Sequence, residues 1–450
     1  MCLNFVKFIS VDSQDFIYNS YNSRFSVYAD DVVRGDICTN DGTVIATTET
    51  SDGNEYRYYP FAELFSHVVG YVDEGMSGLE SEYSFDLLKS HISVQDQFDN
   101  DLAGEKSKGD SLYTTLDYDV QLAASDGMGS YKGAVVAIEP STGKIICMVS
   151  KPDFDPNSLT DYWDFITAED NNSSVLLNRC VQGLYPPGST FKIITTLAYL
   201  RQNPDTYEDF SYYCNGKLTI DDYTIHCYDG ESHGSENLSS AFFNSCNTAF
   251  STIGLSLDKD EYQNTAESLL FNTTLPTTIS NVKNSSFSVS EDTADELLGQ
   301  TAIGQGETTV TPLHMAMLAS AIANDGVLMQ SYIVDHIESA DGYLVSENKP
   351  VEYGNIMTSE EASILSEYMS LVVTDGTAAK VDFGENYTVY GKTGTAEFTT
   401  DKDLVHSWFV GYAKDDDGNE LAIAVIMEQA GTGSKYAAPL AAQVFDAYFN

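Results

Sequence analysis

The sequence has little positive charge. It carries 22 Lys and Arg residues against 68 Asp and Glu residues, which gives a formal net charge of -46 at pH 7. Such a chain is repelled by phosphate groups, so nucleic acid and anionic lipid headgroups are excluded as expected partners. The balance predicts a solvated, acidic surface.

Long hydrophobic runs are also absent. The sequence has no run of 18 apolar residues, so no membrane-spanning helix is predicted. Residues 1–9 are too short and too interrupted to be the apolar core of a signal peptide. A length of 450 residues with 42% hydrophobic residues nevertheless predicts two or three folded domains.

The sequence has only seven cysteines, an odd number, so they cannot all form disulfides within the chain. The chain has no Cys-x-x-Cys and no His-x-x-x-His, so we predict neither a metal site nor a cofactor. Cys214 and Cys227 flank residues 215–225, a predicted hairpin that would bring the two thiols together. They form either a disulfide, in an oxidising compartment, or two unpaired thiols. The histidines fit no Ser-His-Asp pattern and are predicted to be structural.

A candidate nucleophile lies in residues 185–192. Two prolines and Gly188 precede Ser189, so a helix should begin at about Ser189. Lys192 is three residues further on and shares a face of that helix. A serine needs an adjacent base, and a lysine can serve if burial or a nearby positive charge keeps it neutral.

Two more short motifs follow along the chain. The first is Ser245-Cys246-Asn247, and the second is Lys392-Thr393-Gly394-Thr395, at the end of the predicted strand 387–391. Each pattern alone is common by chance. Ser-x-x-Lys, Ser-x-Asn and Lys-Thr-Gly in this order, with the last on a strand, are typical of β-lactamases and penicillin-binding proteins.

The hydrophobic pattern predicts an α+β fold. Strands are predicted at 26–29, 32–37, 43–46, 112–116, 133–138, 144–150, 387–391, 408–412 and 421–427. Helices are predicted from 119, at 261–271, at 312–324 and at 437–448, with a loop at 70–79. Strands at both ends of a helical block predict an antiparallel sheet, covered by helices, that is assembled from both ends of the domain. The polar stretch 99–110 is the predicted domain boundary.

Beyond the three motifs, the chain resembles class B penicillin-binding proteins, the cell-wall D,D-transpeptidases. Similar blocks lie at residues 133–143, 151–157, 304–306, 310–313 and 321–326, and pedestal-like blocks lie at 21–24, 34–37 and 78–80. The resemblance covers nearly the whole chain. It implies a strand-rich, dimerisation-like pedestal at 1–110. It also implies a penicillin-binding/β-lactamase-like transpeptidase domain at 111–450, with an antiparallel sheet and a helical subdomain.

The resemblance also implies a site and a reaction. Ser189, Lys192 and Ser245 are the expected catalytic residues, and the expected substrate-binding residues are Asn247, Lys392, Thr393, Gly394 and Thr395. The implied reaction cross-links D-Ala-D-Ala stem peptides through an acyl-serine, and β-lactams would acylate the same serine. Lys392 would also help to keep Lys192 neutral. Expected partners are donor and acceptor stem peptides, β-lactams and a membrane glycosyltransferase.

Three alternatives remain open on the sequence. A D,D-carboxypeptidase or a β-lactamase would use the same fold, although the chain has no Glu-x-x-Leu-Asn element. A non-catalytic penicillin-binding scaffold or sensor would keep the pocket without turnover. The expected location is the outer face of the cytoplasmic membrane. The family's N-terminal anchor is missing from this chain, which suggests a truncated start, and the lack of a glycosyltransferase domain favours class B over class A.

Overall fold

The computed structural model describes residues 32–168, 174–397 and 404–450. The predicted strand at 26–29 and the pedestal-like block at 21–24 lie outside the described residues. The strands are β1 Val32–Val33, β2 Ile37–Cys38, β3 Val44–Ser51, β4 Asn54–Tyr58, β5 Ser107–Lys108, β6 Ser111–Thr114, β7 Gly133–Ile138, β8 Ile145–Lys151, β9 Tyr212–Cys214, β10 Lys217–Ile220, β11 Tyr223–His226, β12 Gly234–Glu236, β13 Val327–Met329, β14 Val334–Glu338, β15 Leu344–Glu347, β16 Glu352–Asn355, β17 Tyr387–Glu397, β18 Val405–Asp415 and β19 Glu420–Met427.

The α-helices lie among these strands along the chain, and five of them follow one another between β12 and β13. They are α1 Ser66–Val69, α2 Gly78–Glu82, α3 Val94–Ala103, α4 Tyr118–Met128, α5 Leu159–Ile166, α6 Arg179–Gln182, α7 Lys192–Gln202, α8 Leu238–Phe243, α9 Asn247–Ser256, α10 Lys259–Ser268, α11 Asp295–Thr301, α12 Pro312–Ala323, α13 Ser359–Thr374 and α14 Ala437–Phe449. No α-helix in the described ranges has both the length and the hydropathy that a bilayer crossing requires. The predicted α+β class is confirmed.

The described residues group into two compact units. Among the described residues, the first unit draws on 32–118, 152–168, 174–176 and 333–349, and the second draws on 119–151, 177–332, 350–397 and 404–450. The chain therefore passes between the units several times. The predicted division at residue 110 stays a prediction. The polar stretch around it contains the end of α3 and all of β5.

The first unit is built on a six-stranded sheet in the order β15-β14-β6-β2-β3-β4. Strand β2 pairs parallel to β6, and the other pairs are antiparallel. The single strand predicted at 32–37 is interrupted between β1 and β2. A Cβ on Gly35 would lie 1.9 Å from the Asp110 carbonyl oxygen, so the backbones are in direct contact there.

A buried cluster of one carboxylate and two guanidinium groups links three segments of the first unit. Glu80 lies on α2, which begins inside the loop predicted at 70–79, and its side chain is fully buried. Its carboxylate accepts hydrogen bonds from Arg34 Nε at 2.7 Å and from Arg57 Nε at 2.6 Å. Burial acts to raise the pKa of Glu80, but the charges of Arg57 and Arg34 outweigh it and hold that pKa below its usual value. The carboxylate is therefore ionised. It links α2 to the β1–β2 connection through Arg34 and to β4 through Arg57.

The second unit is built on a five-stranded antiparallel sheet in the order β17-β18-β19-β7-β8. The predicted assembly from both ends of the domain is confirmed, since β19 pairs with β7. Helices α4 and α14 pack against one face in a single hydrophobic cluster. On α12, which packs against β7, β18 and β19, every residue from Pro312 to Ile322 is buried. A helix that is apolar all round is typical of a core helix.

The remaining part of the second unit carries the other site segments. Helices α7 to α11 pack beside two small sheets, β9 with β12 and β10 with β11. The hairpin predicted at 215–225 is confirmed as β10–β11, with Lys217 opposite His226. The Lys-Thr-Gly motif lies on a strand, as predicted. The strand end predicted at residue 391 was too early, because β17 continues through the motif to Glu397 and pairs with β18 along its whole length.

Candidate active site

The first element of the site is the turn that holds Ser189. Residues Gly188–Phe191 form a 3₁₀ turn that continues directly into α7, as predicted from the prolines before it. Gly188 has φ +52°, and a Cβ on it would lie 2.7 Å from the Thr395 carbonyl oxygen. Its N–H donates to the Gly304 carbonyl at 2.9 Å. Glycine is therefore required both by the backbone conformation and by the close approach of β17.

Two side chains fix the proline segment before this turn. Thr190 Oγ1 donates to the Pro187 carbonyl at 2.7 Å, and Trp408 Nε1 donates to the Pro186 carbonyl at 3.1 Å. Trp408 lies on β18 and is fully buried. The position of Ser189 therefore depends on the central sheet as well as on its own helix. Sequence reasoning missed Trp408, because no local pattern links it to Pro186.

Lys192 is fully buried, and its amine lies among oxygen atoms. Lys192 Nζ is 3.1 Å from Ser189 Oγ, 2.7 Å from the Ser245 carbonyl oxygen and 2.8 Å from Asn247 Oδ1. Asn247 Nδ2 donates to the His226 carbonyl at 2.9 Å, which turns Oδ1 toward the lysine. A neutral amine can donate its two N–H groups to the carbonyl and the amide oxygen, which leaves the lone pair for the Ser189 hydroxyl proton.

The electrostatics of the site favour an uncharged Lys192. Burial lowers the pKa of Lys192 from 10.5 to about 7. Lys392 is also fully buried, and burial together with the charge of Lys192 lowers its pKa well below the usual value. For Lys192 itself, burial is the main cause of the lowered pKa, and the thiols of Cys246 and Cys227 act in the opposite direction. The help from Lys392 stays a prediction.

Ser245 links the two lysines. Its Oγ lies 3.1 Å from Lys192 Nζ and 3.0 Å from Lys392 Nζ. Its φ is +55°, a conformation that costs a residue other than glycine about 1–2 kcal/mol. Strain of this kind concentrates at functional sites. The conformation places the hydroxyl and the carbonyl oxygen of Ser245 against the same amine.

Strand β17 supplies the remaining side of the site. Lys392 Nζ donates to the Thr393 carbonyl at 3.1 Å, and Thr393 Oγ1 is hydrogen-bonded to Thr377 Oγ1 at 2.5 Å. Thr377 was not predicted, since it lies just after α13 and outside every motif. A Cβ on Gly394 would lie 2.9 Å from both Thr190 Cγ2 and Trp408 Cβ, so this position excludes a side chain.

The structure thus brings the three motifs together at the start of α7. Lys192 contacts both Ser245 and Asn247 directly, and Lys392 contacts the Ser245 hydroxyl. Gly394 and Thr395 pack against the Ser189 turn. A serine hydroxyl beside a buried lysine, with a second buried lysine and an adjacent strand, is the arrangement that serine acyl transfer of the Ser-x-x-Lys class requires.

The comparisons with known proteins agree with this class. The penicillin-binding protein transpeptidase domain matches residues 133–446, and the penicillin-binding protein A dimerisation domain matches residues 34–112. The chain therefore belongs to the penicillin-binding protein transpeptidase family, and the resemblance seen in the sequence is confirmed.

Individual relatives match over most of their length. The chain is 33% identical to the peptidoglycan D,D-transpeptidase PbpA of Mycolicibacterium smegmatis, over 90% of this chain and 87% of the relative. The ceftriaxone acyl-enzyme complex of penicillin-binding protein A from M. tuberculosis superposes with a TM-score of 0.84 at 28% identity, over 95% of this chain and 100% of the other. The D,D-transpeptidase domain of a peptidoglycan glycosyltransferase from Eggerthella lenta gives a TM-score of 0.81 at 30% identity, over 93% and 98% of the two chains.

Proposed function

We propose that this protein is a serine-type D,D-transpeptidase that cross-links peptidoglycan stem peptides and is acylated by β-lactams. The observation that carries the proposal is the contact of 3.1 Å between Lys192 Nζ and Ser189 Oγ, inside a buried site that Ser245 and Lys392 complete. The named activity of PbpA relatives and the acyl-enzyme complexes of penicillin-binding protein A support the same reaction.

Acylation begins at Ser189. Lys192 accepts the hydroxyl proton while Ser189 Oγ forms an ester bond with the carbonyl carbon of the penultimate D-alanine. The C–N bond to the terminal D-alanine breaks, and Ser245 passes a proton to the leaving amine. The backbone N–H groups of Ser189 and Thr395 stabilise the oxyanion, and each such donor contributes about 3 kcal/mol to the barrier reduction.

The Ser-x-Asn and Lys-Thr-Gly segments bind the substrate. Lys392, Thr393 and Thr395 receive the terminal carboxylate, and an anion beside Lys392 favours the protonated form of its amine. Asn247 forms a hydrogen bond with the peptide backbone of the substrate, and Gly394 leaves room between β17 and the Ser189 turn. The amine of a second stem peptide then attacks the ester, releases Ser189 and forms the cross-link.

The wider setting is also a proposal. The enzyme acts on extracytoplasmic peptidoglycan at the outer face of the cytoplasmic membrane, with a membrane glycosyltransferase that supplies the glycan strands. A pedestal up to about residue 110 would carry the transpeptidase domain that follows. The match of residues 34–112 to a dimerisation domain supports the pedestal part of this proposal.

An assay with a donor peptide ending in D-Ala-D-Ala and an amine acceptor tests the reaction. We expect a cross-linked product that depends on the acceptor, together with a penicillin adduct that persists over many minutes. Release of D-alanine with hydrolysis alone would identify a carboxypeptidase instead. Rapid turnover of nitrocefin without a stable adduct would identify a β-lactamase, and a penicillin adduct with no reaction on either peptide would identify a scaffold or sensor.

The pH dependence of acylation follows from Lys192. The base must be neutral, and its pKa is about 7, so the second-order rate of penicillin acylation should rise about tenfold per pH unit below 7 and level off above it. The titratable groups near this amine are Lys392 and the thiols of Cys227 and Cys246. Stopped-flow acylation between about pH 5.5 and 8.5 measures the profile. A rate that does not change over this interval would contradict Lys192 as the base.

A further inference from the structure

Four potential metal ligands meet beside the Ser-x-Asn segment. They are Cys214 at the end of β9, Cys227 after β11, His233 before β12 and Cys246 before α9. Their ligand atoms all lie within 4.8 Å of one another, and the three cysteines are buried. None of them takes part in the proposed acyl transfer.

The spacing of these atoms fits one tetrahedral ion. The Sγ atoms of Cys214 and Cys227 are 3.6 Å apart, and those of Cys227 and Cys246 are 3.8 Å apart. Cys214 Sγ lies 3.4 Å from His233 Nδ1. Tetrahedral Zn²⁺ with Zn–S bonds of about 2.3 Å and Zn–N bonds of about 2.0 Å sets S···S at about 3.8 Å and S···N at about 3.5 Å. A disulfide would require an S–S distance of about 2.05 Å.

We propose that Cys214, Cys227, His233 and Cys246 form a structural site for a thiophilic divalent cation, Zn²⁺ by its ligand set and geometry. Three thiolates and one imidazole, with no open position, are the ligand set of a structural zinc site. Soft sulfur ligands select against Mg²⁺ and Ca²⁺, which prefer oxygen.

Neighbouring N–H and O–H groups form hydrogen bonds with the sulfur ligands. The Gly216 N–H donates to Cys214 Sγ at 3.3 Å, and Thr248 Oγ1 donates to the same sulfur at 3.3 Å. Thr248 is fully buried, and its hydroxyl also lies 3.4 Å from Cys246 Sγ. Hydrogen bonds to ligating atoms orient them and tune the metal.

The arrangement also explains why no metal-ligand spacing is visible in the sequence. Twelve residues separate Cys214 from Cys227, because the β10–β11 hairpin lies between them. His233 and Cys246 come from two later elements. The ligands thus meet through tertiary packing of β9, β11 and α9, and not within one tight turn.

The ion would hold the active-site turn in place. Cys246 lies between Ser245, with its φ of +55°, and Asn247, whose Oδ1 contacts Lys192. The Asn247 amide is also tied to the His226 carbonyl, one residue before Cys227. A metal bound to Cys227 and Cys246 therefore fixes both sides of the Ser-x-Asn segment. This second part of the proposal rests on the proposed function, whereas the metal site does not.

Metal analysis of the untagged, full-length protein tests the site. We expect about one equivalent of Zn²⁺, and less than about a tenth of that in His233→Ala. The variant His233→Cys keeps a four-ligand set and should retain the ion. Cys180→Ser is the matched control, because this buried cysteine lies outside the cluster and a serine can keep its hydrogen bond to the Val149 carbonyl. Its metal content should equal that of the wild type.

Cobalt and labelling experiments complete the test. Co²⁺ added to metal-free wild-type protein should saturate at one equivalent, with thiolate-to-cobalt charge-transfer bands and the d–d bands of a tetrahedral ion. No such spectrum under reducing conditions, a Cys214–Cys227 disulfide in the purified protein, or a metal content unaffected by His233→Ala would overturn the site. Metal removal should slow labelling by fluorescent penicillin about tenfold, with recovery on Zn²⁺ addition. An unchanged rate in protein shown to have lost its ion would overturn the coupling to Ser245.

Discussion

Replacement of Ser189 by alanine is expected to abolish covalent labelling by a fluorescent penicillin. Under the proposed mechanism the acyl bond forms on Ser189 Oγ, which lies 3.1 Å from Lys192 Nζ. Ser245 Oγ lies at the same distance from that amine but is also 3.0 Å from Lys392 Nζ. Lys192→Met in the intact Ser189 background should slow labelling by about 10²–10⁴-fold, which is the usual contribution of a general base. Quantification of the labelled band over time separates complete loss from slow reaction.

The matched control for this substitution is Ser256→Ala. Ser256 is exposed at the end of α9, away from the three motifs, and should label at the wild-type rate. Circular dichroism and thermal unfolding of Ser189→Ala should match the wild type, because the buried Lys192 amine keeps its contacts with the Ser245 carbonyl oxygen and Asn247 Oδ1. A Ser189→Ala protein that still takes the label would exclude Ser189 as the nucleophile and the proposed mechanism with it.

Replacement of Glu80 by glutamine is expected to lower the free energy of unfolding by about 3–5 kcal/mol, because removal of one partner from a buried charge cluster leaves the others uncompensated. Here two guanidinium groups, those of Arg34 and Arg57, would lose their shared carboxylate. The volume of the side chain is preserved, so the effect reports charge and hydrogen bonding. Thermal unfolding should begin about 10 °C lower.

An exposed acid on the same unit is the control for Glu80. Asp73→Asn removes one negative charge from the surface and should change the stability by less than about 0.5 kcal/mol. If Glu80→Gln unfolds at the same temperature as Asp73→Asn, the buried cluster does not stabilise the first unit. Measurements at neutral pH suffice, because the lowered pKa of Glu80 keeps it ionised there.

The sequence predicted the structure best where the residue types themselves restrict the backbone conformation or require burial. Two prolines and a glycine predicted the start of the helix at about Ser189, and short apolar runs bounded by turns predicted the central strands of the second unit. Motif order predicted a shared site for Ser189, Ser245 and Lys392, and the structure brings these residues together. The extent of β17 was underestimated, because Lys392 and Gly394 have low strand propensity and pairing with β18 keeps them extended.

Residues that act through tertiary packing could not be predicted. Trp408 reaches Pro186 from another strand, and Thr377 reaches Thr393 from beyond a helix. The four ligands beside Ser245 follow no short spacing, since a hairpin separates the first two. In the first unit, Gly35 interrupts a strand because its backbone contacts Asp110, which hydrophobicity cannot reveal.

The pairing of β19 with β7 has a consequence for how the enzyme is made. The two strands lie side by side, with Ala424 opposite Val136, although almost 290 residues separate them along the chain. During synthesis the early hairpin has no neighbour on that edge until the last strands emerge, and such long-range pairing is slow. The central sheet of the second unit therefore cannot be completed until β19 has been synthesised, and we expect nascent chains to acquire reactivity toward penicillin only near the end of synthesis.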